Sequence, residues 1–407
     1  MIINIKKFLY KKIFYLFKNE IHYKKYIYDR ITISDKIIKK LKNYHIVPVE
    51  LDEYSRNYQS YNYTKKSLLD PKLKNHPAFK YYKSIDNFLF ASSKSRARII
   101  NSFIRKQYWS NYDLSNKDKY IKDLSYYVGY HEYISPNYDF IEIKDIGLNK
   151  YKNHVEKLNI NNRYDIPLHI YKLTPDTKKK KDRVLIVLNG ILSTADNVVG
   201  LNEDDYSKSF GNKWLELGYT VYAIQVSYYR PIINTYSLSL SAQGFDISNI
   251  LDLIKYIKNT ELNDNDLIVS GVSHGGVLSE MVGILSADVS AVISVSSLGS
   301  KDSISDMIFP KENSLMENKM FTYQPQFMAF FKRSDLLKLL CPKIVVVSLG
   351  AGDHGEEKYE IIFNVLDYYS KNNYSNKIDV NIFYGYHEPN PENEEKLLTE
   401  LLSTSNE

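Results

Sequence analysis

Hydrophobic and polar positions change their spacing near residue 165 of the chain. From there on, short apolar runs rich in Val and Ile alternate with segments in which apolar residues recur at helical spacing. Continuous apolar runs are typical of strands buried on both faces, and the longer period is typical of helices packed on a sheet. Strands are therefore predicted at residues 168–173, 184–188, 220–226, 267–270, 291–296, 344–348 and 380–384, and helices at 207–217, 243–258, 277–285 and 358–369.

Strands that alternate with helices predict a doubly wound α/β domain with a mostly parallel sheet, here over residues 151–407. Residues 1–150 lack this alternation and are predicted to form a largely helical and irregular N-terminal region. An insertion at residues 300–340 separates two predicted strands and contains an aromatic patch with Phe327 and Phe330. Because long insertions near strand ends often cover a site, we expect a lid-like segment that contacts an apolar acyl group, with ordinary packing as the alternative.

One predicted strand runs directly into a predicted helix through Gly271-Val-Ser273-His-Gly275. Glycines on both sides of a serine allow the sharp turn that exposes a nucleophilic hydroxyl, since bulkier residues would clash with neighbouring chain. The helix that follows directs its backbone N–H groups and its positive dipole end towards that serine. The pattern predicts a nucleophile beside an anion site, and a serine that only caps the helix is the structural alternative.

A serine hydroxyl becomes a good nucleophile when a histidine accepts its proton and an acid orients that histidine. Asp353 follows one predicted strand in a glycine-rich loop, and His387 follows the last predicted strand. We expect both to lie at the carboxyl edge of the sheet together with Ser273, because parallel strands end on the same side. The alternatives for these roles are His354 as the base and Asp246 or Asp302 as the acid.

Over about residues 165–400 the chain resembles the α/β-hydrolase superfamily. The resemblance rests on the elbow pentapeptide, on the order Ser273, Asp353, His387 with each residue after a different strand, and on Asn189-Gly190 after an early strand. It implies that Ser273 is the nucleophile, His387 the general base and Asp353 the orienting acid.

The resemblance also implies an oxyanion hole built from backbone N–H groups. One would belong to His274, and the other to the loop that contains Gly190 and Ile191, with Ile191 as the expected donor. Many members of the superfamily carry His-Gly where this chain has Asn189-Gly190, so the chain departs from the usual pattern at this loop.

These features predict a serine hydrolase that cleaves a carboxylic ester or thioester through an acyl-enzyme on Ser273. The same triad would also support acyl transfer to an acceptor other than water. A hypothesis of a different class is a non-catalytic scaffold with a hydrolase-like domain, since fold does not imply function. The scaffold predicts that Ser273→Ala leaves the biological role intact.

Composition and motifs narrow the partners that we expect. The 407 residues carry 54 Lys and Arg against 48 Asp and Glu. This net charge of +6 is too small to indicate the strong positive electrostatic field that attracts nucleic acid, so we expect no nucleic-acid partner. Arg230, after a predicted strand, is a candidate for binding an acidic substrate group, and a solvated turn arginine is the alternative. Metal-ligand spacings and phosphate-binding loops are absent from the sequence, so we expect no metal and no cofactor. The single cysteine, Cys341, excludes an intrachain disulfide and is expected to be buried.

Residues 1–18 combine lysines with apolar positions at helical spacing and contain no acidic residue. Such a segment either docks on the main domain as an amphipathic helix or contacts an anionic membrane surface peripherally. Lysines interrupt its apolar stretch, which argues against a secretion signal, and no apolar run reaches the roughly 18 residues of a spanning helix. We expect a cytoplasmic protein that acts on a small-molecule or lipid-like acyl substrate; the sequence does not determine its oligomeric state.

Overall fold

The computed structural model describes residues 31–51, 116–128, 142–176, 178, 180–190, 193–202, 205–226, 242–261, 266–298, 333–353 and 355–404. Within these residues the strands are β1 Val49–Glu50, β2 Glu142–Leu148, β3 His154–Asn159, β4 Ile170–Leu173, β5 Arg183–Leu188, β6 Thr220–Ile224, β7 Asp266–Val272, β8 Ala291–Val295, β9 Ile344–Gly350 and β10 Ile378–Tyr384. They form one sheet in the order β1-β10-β9-β8-β7-β5-β6-β4-β3-β2.

Strand direction divides this sheet into a parallel part and an antiparallel edge. The strands from β1 to β6 in this order are parallel, whereas β4, β3 and β2 continue the sheet in antiparallel pairs. Every strand predicted from the apolar runs overlaps one of the observed strands β4 to β10. The prediction of a mostly parallel sheet is therefore confirmed.

Helices cover both faces of the sheet. They are α1 Asp35–Lys42, α2 Lys117–Val128, α3 Ala195–Val198, α4 Phe210–Glu216, α5 Ala242–Thr260, α6 His274–Leu285, α7 Arg333–Leu339, α8 Glu357–Lys371 and α9 Pro391–Thr404. Successive residues of β5 point to opposite faces, so Ile186 joins one hydrophobic core with α1, α2 and α5 to α8, while Val187 joins a second core with α3, α4 and α9. The α/β architecture is thus doubly wound, as the sequence predicts.

The described part of residues 1–150 contributes strands as well as helices. Strand β1 pairs with β10, and β2 pairs with β3, so both lie at edges of the sheet. Helix α1 contacts α8 through an ion pair of 2.9 Å between Lys40 and Glu360. The sheet therefore extends across the boundary that we expected at residue 150. The sequence did not predict these two strands, because β1 is only two residues long and β2 is largely exposed, so neither has the apolar run of a buried strand.

The insertion at residues 300–340 is described only from residue 333, where α7 begins. Cys341, directly after this insertion, is buried with a free thiol, as expected. No helix in the described ranges has the length and apolarity needed to cross a membrane.

Candidate active site

The turn from β7 into α6 has the backbone geometry of a sharp elbow. Ser273 has φ 61° and ψ −117°, a conformation that residues other than glycine rarely adopt. A Cβ on Gly271 would lie 2.2 Å from the backbone carbonyl of Gly275, and a Cβ on Gly275 would lie 2.4 Å from the carbonyl oxygen of Leu188. Gly271 therefore allows β7 to turn sharply into α6, and Gly275 allows the turn to pack against β5.

The elbow holds the serine at the start of a helix. The backbone N–H of Ser273 donates to the carbonyl oxygen of Val295, 2.8 Å away at the end of β8. Helix α6 begins at the next residue, His274, which is buried, whereas Ser273 is half-buried. The N-terminal N–H groups and positive dipole end of α6 therefore lie beside this half-buried serine, which favours negative charge there.

Asp353 and His387 meet beyond the carboxyl ends of two neighbouring parallel strands, β9 and β10. Nδ1 of His387 lies 2.7 Å from Oδ2 of Asp353. Asp353 is buried and His387 is half-buried. A carboxylate at Nδ1 orients the imidazole and favours the tautomer with a proton on that nitrogen, so Nε2 becomes the basic atom. The alternative acid Asp246 lies in α5, and its side chain is buried.

The loops that carry these two residues continue the contact between β9 and β10. The N–H of Ala351 donates to the carbonyl of Phe383, and that of Gly352 donates to the carbonyl of Gly385, each at a distance of 2.8 Å. A Cβ on Gly350 would lie 2.0 Å from the carbonyl oxygen of Tyr386. The glycine-rich sequence before Asp353 thus allows the two loops to approach closely enough for the acid to reach the histidine.

A buried lysine binds the backbone of the Asp353 loop. The ammonium of Lys358 donates to the carbonyl oxygens of Gly350 at 2.9 Å, Ala351 at 3.1 Å and Asp353. Burial lowers the pKa of Lys358 to about 8, and the nearby Asp353 acts in the opposite direction. This lysine fixes the backbone from which the Asp353 side chain projects.

The side chain of Asn189 organises the loop after β5. Its amide nitrogen donates to the carbonyls of Gly190 at 3.1 Å and Ser193 at 2.9 Å, and its oxygen accepts from the N–H of Val226 at 3.1 Å. Asn189 is fully buried, so these hydrogen bonds replace contacts with water. The asparagine at this position of the predicted oxyanion loop thus ties the loop to the end of β6.

Tyr206 links the serine to the histidine loop. A Cβ on Gly190 would lie 2.1 Å from the Tyr206 hydroxyl oxygen and 3.0 Å from the Cβ of Ser273, so these two atoms are separated by at most the sum of these distances. The ring of Tyr206 has its centroid 5.7 Å from that of His387. Tyr206 therefore contacts Gly190, which lies beside Ser273, and also packs against the ring of His387 at the carboxyl edge of the sheet.

A buried ion pair joins the segment after Tyr206 to the residue after His387. Nζ of Lys208 lies 2.6 Å from Oε2 of Glu388, and the side chains are only 2% and 1% exposed. The other carboxylate oxygen of Glu388 accepts from the N–H of Tyr386 at 2.9 Å. Lys208 has φ 54°, so its backbone adopts the left-handed region at this junction. Glu388 thus links the histidine loop to the segment that contains Lys208.

The structure brings together Ser273, His274, Gly190, Asp353 and His387 at one edge of the sheet. The remaining predicted residues lie outside the described part of the chain: Ile191, Arg230, Phe327, Phe330, Asp302 and His354, together with residues 1–18.

The sequence reasoning missed Tyr206, Lys208 and Lys358. Tyr206 and Lys208 are far from the other site residues in the sequence and come close to them only in the fold. Lys358, in contrast, lies shortly after Asp353 in the sequence. Among the residues that the structure describes, no group of three or more His, Cys, Asp or Glu side chains is arranged to hold a metal ion.

Comparison with solved structures finds similar chains at low sequence identity. A candidate acetyl xylan esterase from Bacteroides fragilis has a TM-score of 0.52 and 14% identity, over 69% of this chain and 80% of that chain. A CE15 glucuronoyl esterase from Teredinibacter turnerae has a TM-score of 0.51 and 13% identity, over 71% and 84%. A glucuronoyl esterase from Solibacter usitatus has a TM-score of 0.50 and 13% identity, over 70% and 91%. No protein-family model and no curated protein matches the chain.

Proposed function

The chain has the α/β-hydrolase fold, and we propose that it is a serine hydrolase that cleaves carboxylic esters through an acyl-enzyme on Ser273. The observation that carries the proposal is the 2.7 Å hydrogen bond between Asp353 and His387 at the edge where the Ser273 elbow also lies. The strained positive-φ backbone at Ser273 and the glycines around it support the same interpretation, because that strain is typical of nucleophile elbows.

In the proposed acylation step, Ser273 Oγ attacks the ester carbonyl carbon while Nε2 of His387 accepts the hydroxyl proton. The carbonyl electron pair moves onto oxygen, where the N–H of His274 and the loop at Gly190 would stabilise the negative charge. When this intermediate collapses, the bond to the leaving alkoxide breaks and His387 returns the proton to it. Water then attacks the acyl-enzyme while His387 accepts its proton, and His387 returns this proton to Ser273 Oγ as the acid is released.

The proposal is tested by labelling the purified protein with a fluorophosphonate probe and mapping the modified peptide. We expect a single adduct on Ser273 that is absent from Ser273→Ala. Ser296→Ala is the matched control, because Ser296 also has a positive φ, 47°, and follows the neighbouring strand β8, but it lacks the flanking glycines. Asp353→Asn is expected to reduce kcat about 10⁴-fold, since the histidine loses its orienting carboxylate.

Substrate preference is measured with p-nitrophenyl acetate first, followed by an acyl thioester, acetylated xylan and a glucuronoyl ester. The two carbohydrate esters belong in this panel because structures with the same fold are described as acetyl xylan and glucuronoyl esterases. A folded wild-type protein that neither reacts with the probe nor hydrolyses any of these esters would contradict the proposed function.

A further inference from the structure

The hydroxyl of Tyr206 lies close to both elements that would surround a reacting carbonyl. One is the loop after β5, where a Cβ added to Gly190 would collide with this hydroxyl at 2.1 Å. The other is the elbow: the same Cβ would lie 3.0 Å from the Cβ of Ser273, so the Tyr206 hydroxyl oxygen and the Ser273 Cβ are separated by at most the sum of these two distances. A side chain at residue 190 would therefore displace the Tyr206 hydroxyl from its position near the nucleophile.

We propose that Tyr206 is a further catalytic residue whose hydroxyl donates a hydrogen bond to the oxyanion formed when Ser273 attacks the ester. This inference rests on the proposed esterase function and adds a side-chain donor to the backbone donors of the expected oxyanion hole. A donor fixed beside the position where charge develops stabilises the transition state more than the ground state.

The residues on either side of Tyr206 attach it to the oxyanion loop. The carboxylate of Asp205 accepts from the backbone N–H of Ser207 at 2.8 Å and from its hydroxyl at 2.5 Å. The hydroxyl of Ser193, in the oxyanion loop, lies 3.3 Å from that of Ser207. Burial raises the pKa of Asp205, and the hydrogen bonds from these two serines counteract the shift. Both neighbours of Tyr206 in the chain thus belong to one hydrogen-bonded network, which fixes the backbone from which the tyrosine side chain extends.

The same tyrosine is attached to the base on its other side. Its ring contacts the ring of His387 at an angle of 44°, and Lys208, two residues later, is paired with Glu388 beside that histidine. The segment from Asp205 to Lys208 thus connects the oxyanion loop to the base, and Tyr206 is the residue of this segment that contacts both.

The proposed role leaves the proton balance of acylation unchanged. A bond forms between Ser273 Oγ and the carbonyl carbon, the π electron pair moves to the carbonyl oxygen, and the serine proton goes to His387. Tyr206 keeps its own proton and only donates a hydrogen bond to the negative oxygen. When the intermediate collapses, the C=O bond reforms, the leaving group takes the proton from His387, and the hydrogen bond weakens.

Tyr206→Phe tests this role, because it removes the hydroxyl and retains the ring contact with His387. With p-nitrophenyl acetate we expect kcat to fall about 100-fold, the effect typical of losing one oxyanion donor, with little change in KM. Ethyl acetate should show the same fall, since the lost interaction does not involve the leaving group. The inhibition constant of phenylboronic acid, which forms a tetrahedral adduct with an active serine, should rise by a similar factor.

Tyr369→Phe is the matched control, since it removes another buried hydroxyl. Tyr369 lies in the core near the end of α8, and its hydroxyl donates to the carbonyl of Leu337 at 3.3 Å. The kcat of this variant should equal that of the wild type. The acid limb of the pH profile of kcat/KM should stay at the same pH in Tyr206→Phe, because a donor to the oxyanion does not act through the base.

Two results would overturn the proposal for Tyr206 while leaving the esterase function intact. One is a wild-type kcat and boronate affinity in Tyr206→Phe, with Ser273 still labelled by fluorophosphonate. The other is a fall in kcat accompanied by a shifted acid limb, which would assign Tyr206 to positioning His387 only. Failure of the esterase function has a different signature, since Ser273 of the wild type would then remain unlabelled.

Discussion

Breaking the buried ion pair between Lys208 and Glu388 should destabilise the fold and misplace the catalytic base. The two charges lie 2.6 Å apart, and their side chains are 2% and 1% exposed, so neither group regains water when its partner is removed. Lys208→Met leaves the Glu388 carboxylate buried without its cation, although the N–H of Tyr386 still donates to it. Glu388→Gln instead leaves a buried ammonium, while the amide oxygen can still accept from Tyr386.

The expected cost follows from the desolvation of the remaining charge. Removing one partner of a buried pair typically costs about 3–5 kcal/mol, whereas replacing both partners by neutral groups of similar size is close to neutral. Each single variant should therefore lose about 3–5 kcal/mol of unfolding free energy, and the double variant should lose clearly less than the sum of the two. Because Glu388 follows His387 directly, kcat should also fall in Lys208→Met.

Urea unfolding at pH 7 measures these changes through the transition midpoint and slope. Lys40→Met is the matched control, since the Lys40–Glu360 pair has a similar distance, 2.9 Å, but side chains that are 37% and 58% exposed. Its loss should be at most about 1 kcal/mol. If Lys208→Met costs no more than Lys40→Met, or if the two single effects simply add in the double variant, then this pair does not hold the histidine loop.

Three further changes test other parts of the site. Gly271→Ala should abolish fluorophosphonate labelling and lower thermal stability, because its Cβ would lie 2.2 Å from the Gly275 backbone; normal labelling would refute the steric account of the elbow. Asn189→Ala removes three hydrogen bonds of a buried side chain and should cost about 2–4 kcal/mol in urea unfolding and lower kcat; an unchanged kcat would show that the loop holds its position without them. In the folded protein the pKa of Lys358 is about 8 and its ordinary value is 10.5, so between these pH values the unfolded chain binds more protons and stability rises with pH. The unfolding free energy of the wild type relative to Lys358→Met should therefore increase from pH 8 to 10.5, and a flat or falling difference would contradict the assigned burial.

The sequence alone determined the architecture and the order of the candidate catalytic residues. Strands β4 to β10 could be predicted because each is a local apolar run, and the elbow because Gly271, Ser273 and Gly275 are close together in the chain. Asp353 and His387 were found because parallel strands end at the same edge, so residues that follow different strands become neighbours. Strands β1 and β2 lacked that local signal, since one is very short and the other largely exposed.

Only the tertiary structure decided what supports these residues. The contacts of Tyr206 with Gly190 and His387, and of Lys208 with Glu388, join segments that are far apart in sequence, and nothing in their local pattern marks them. Lys358 likewise resembles any lysine at the start of an amphipathic helix until its ammonium is seen among three backbone carbonyls. The periodicity of a chain records which face of each element is buried, whereas the partner of a buried polar group depends on how separate elements pack together.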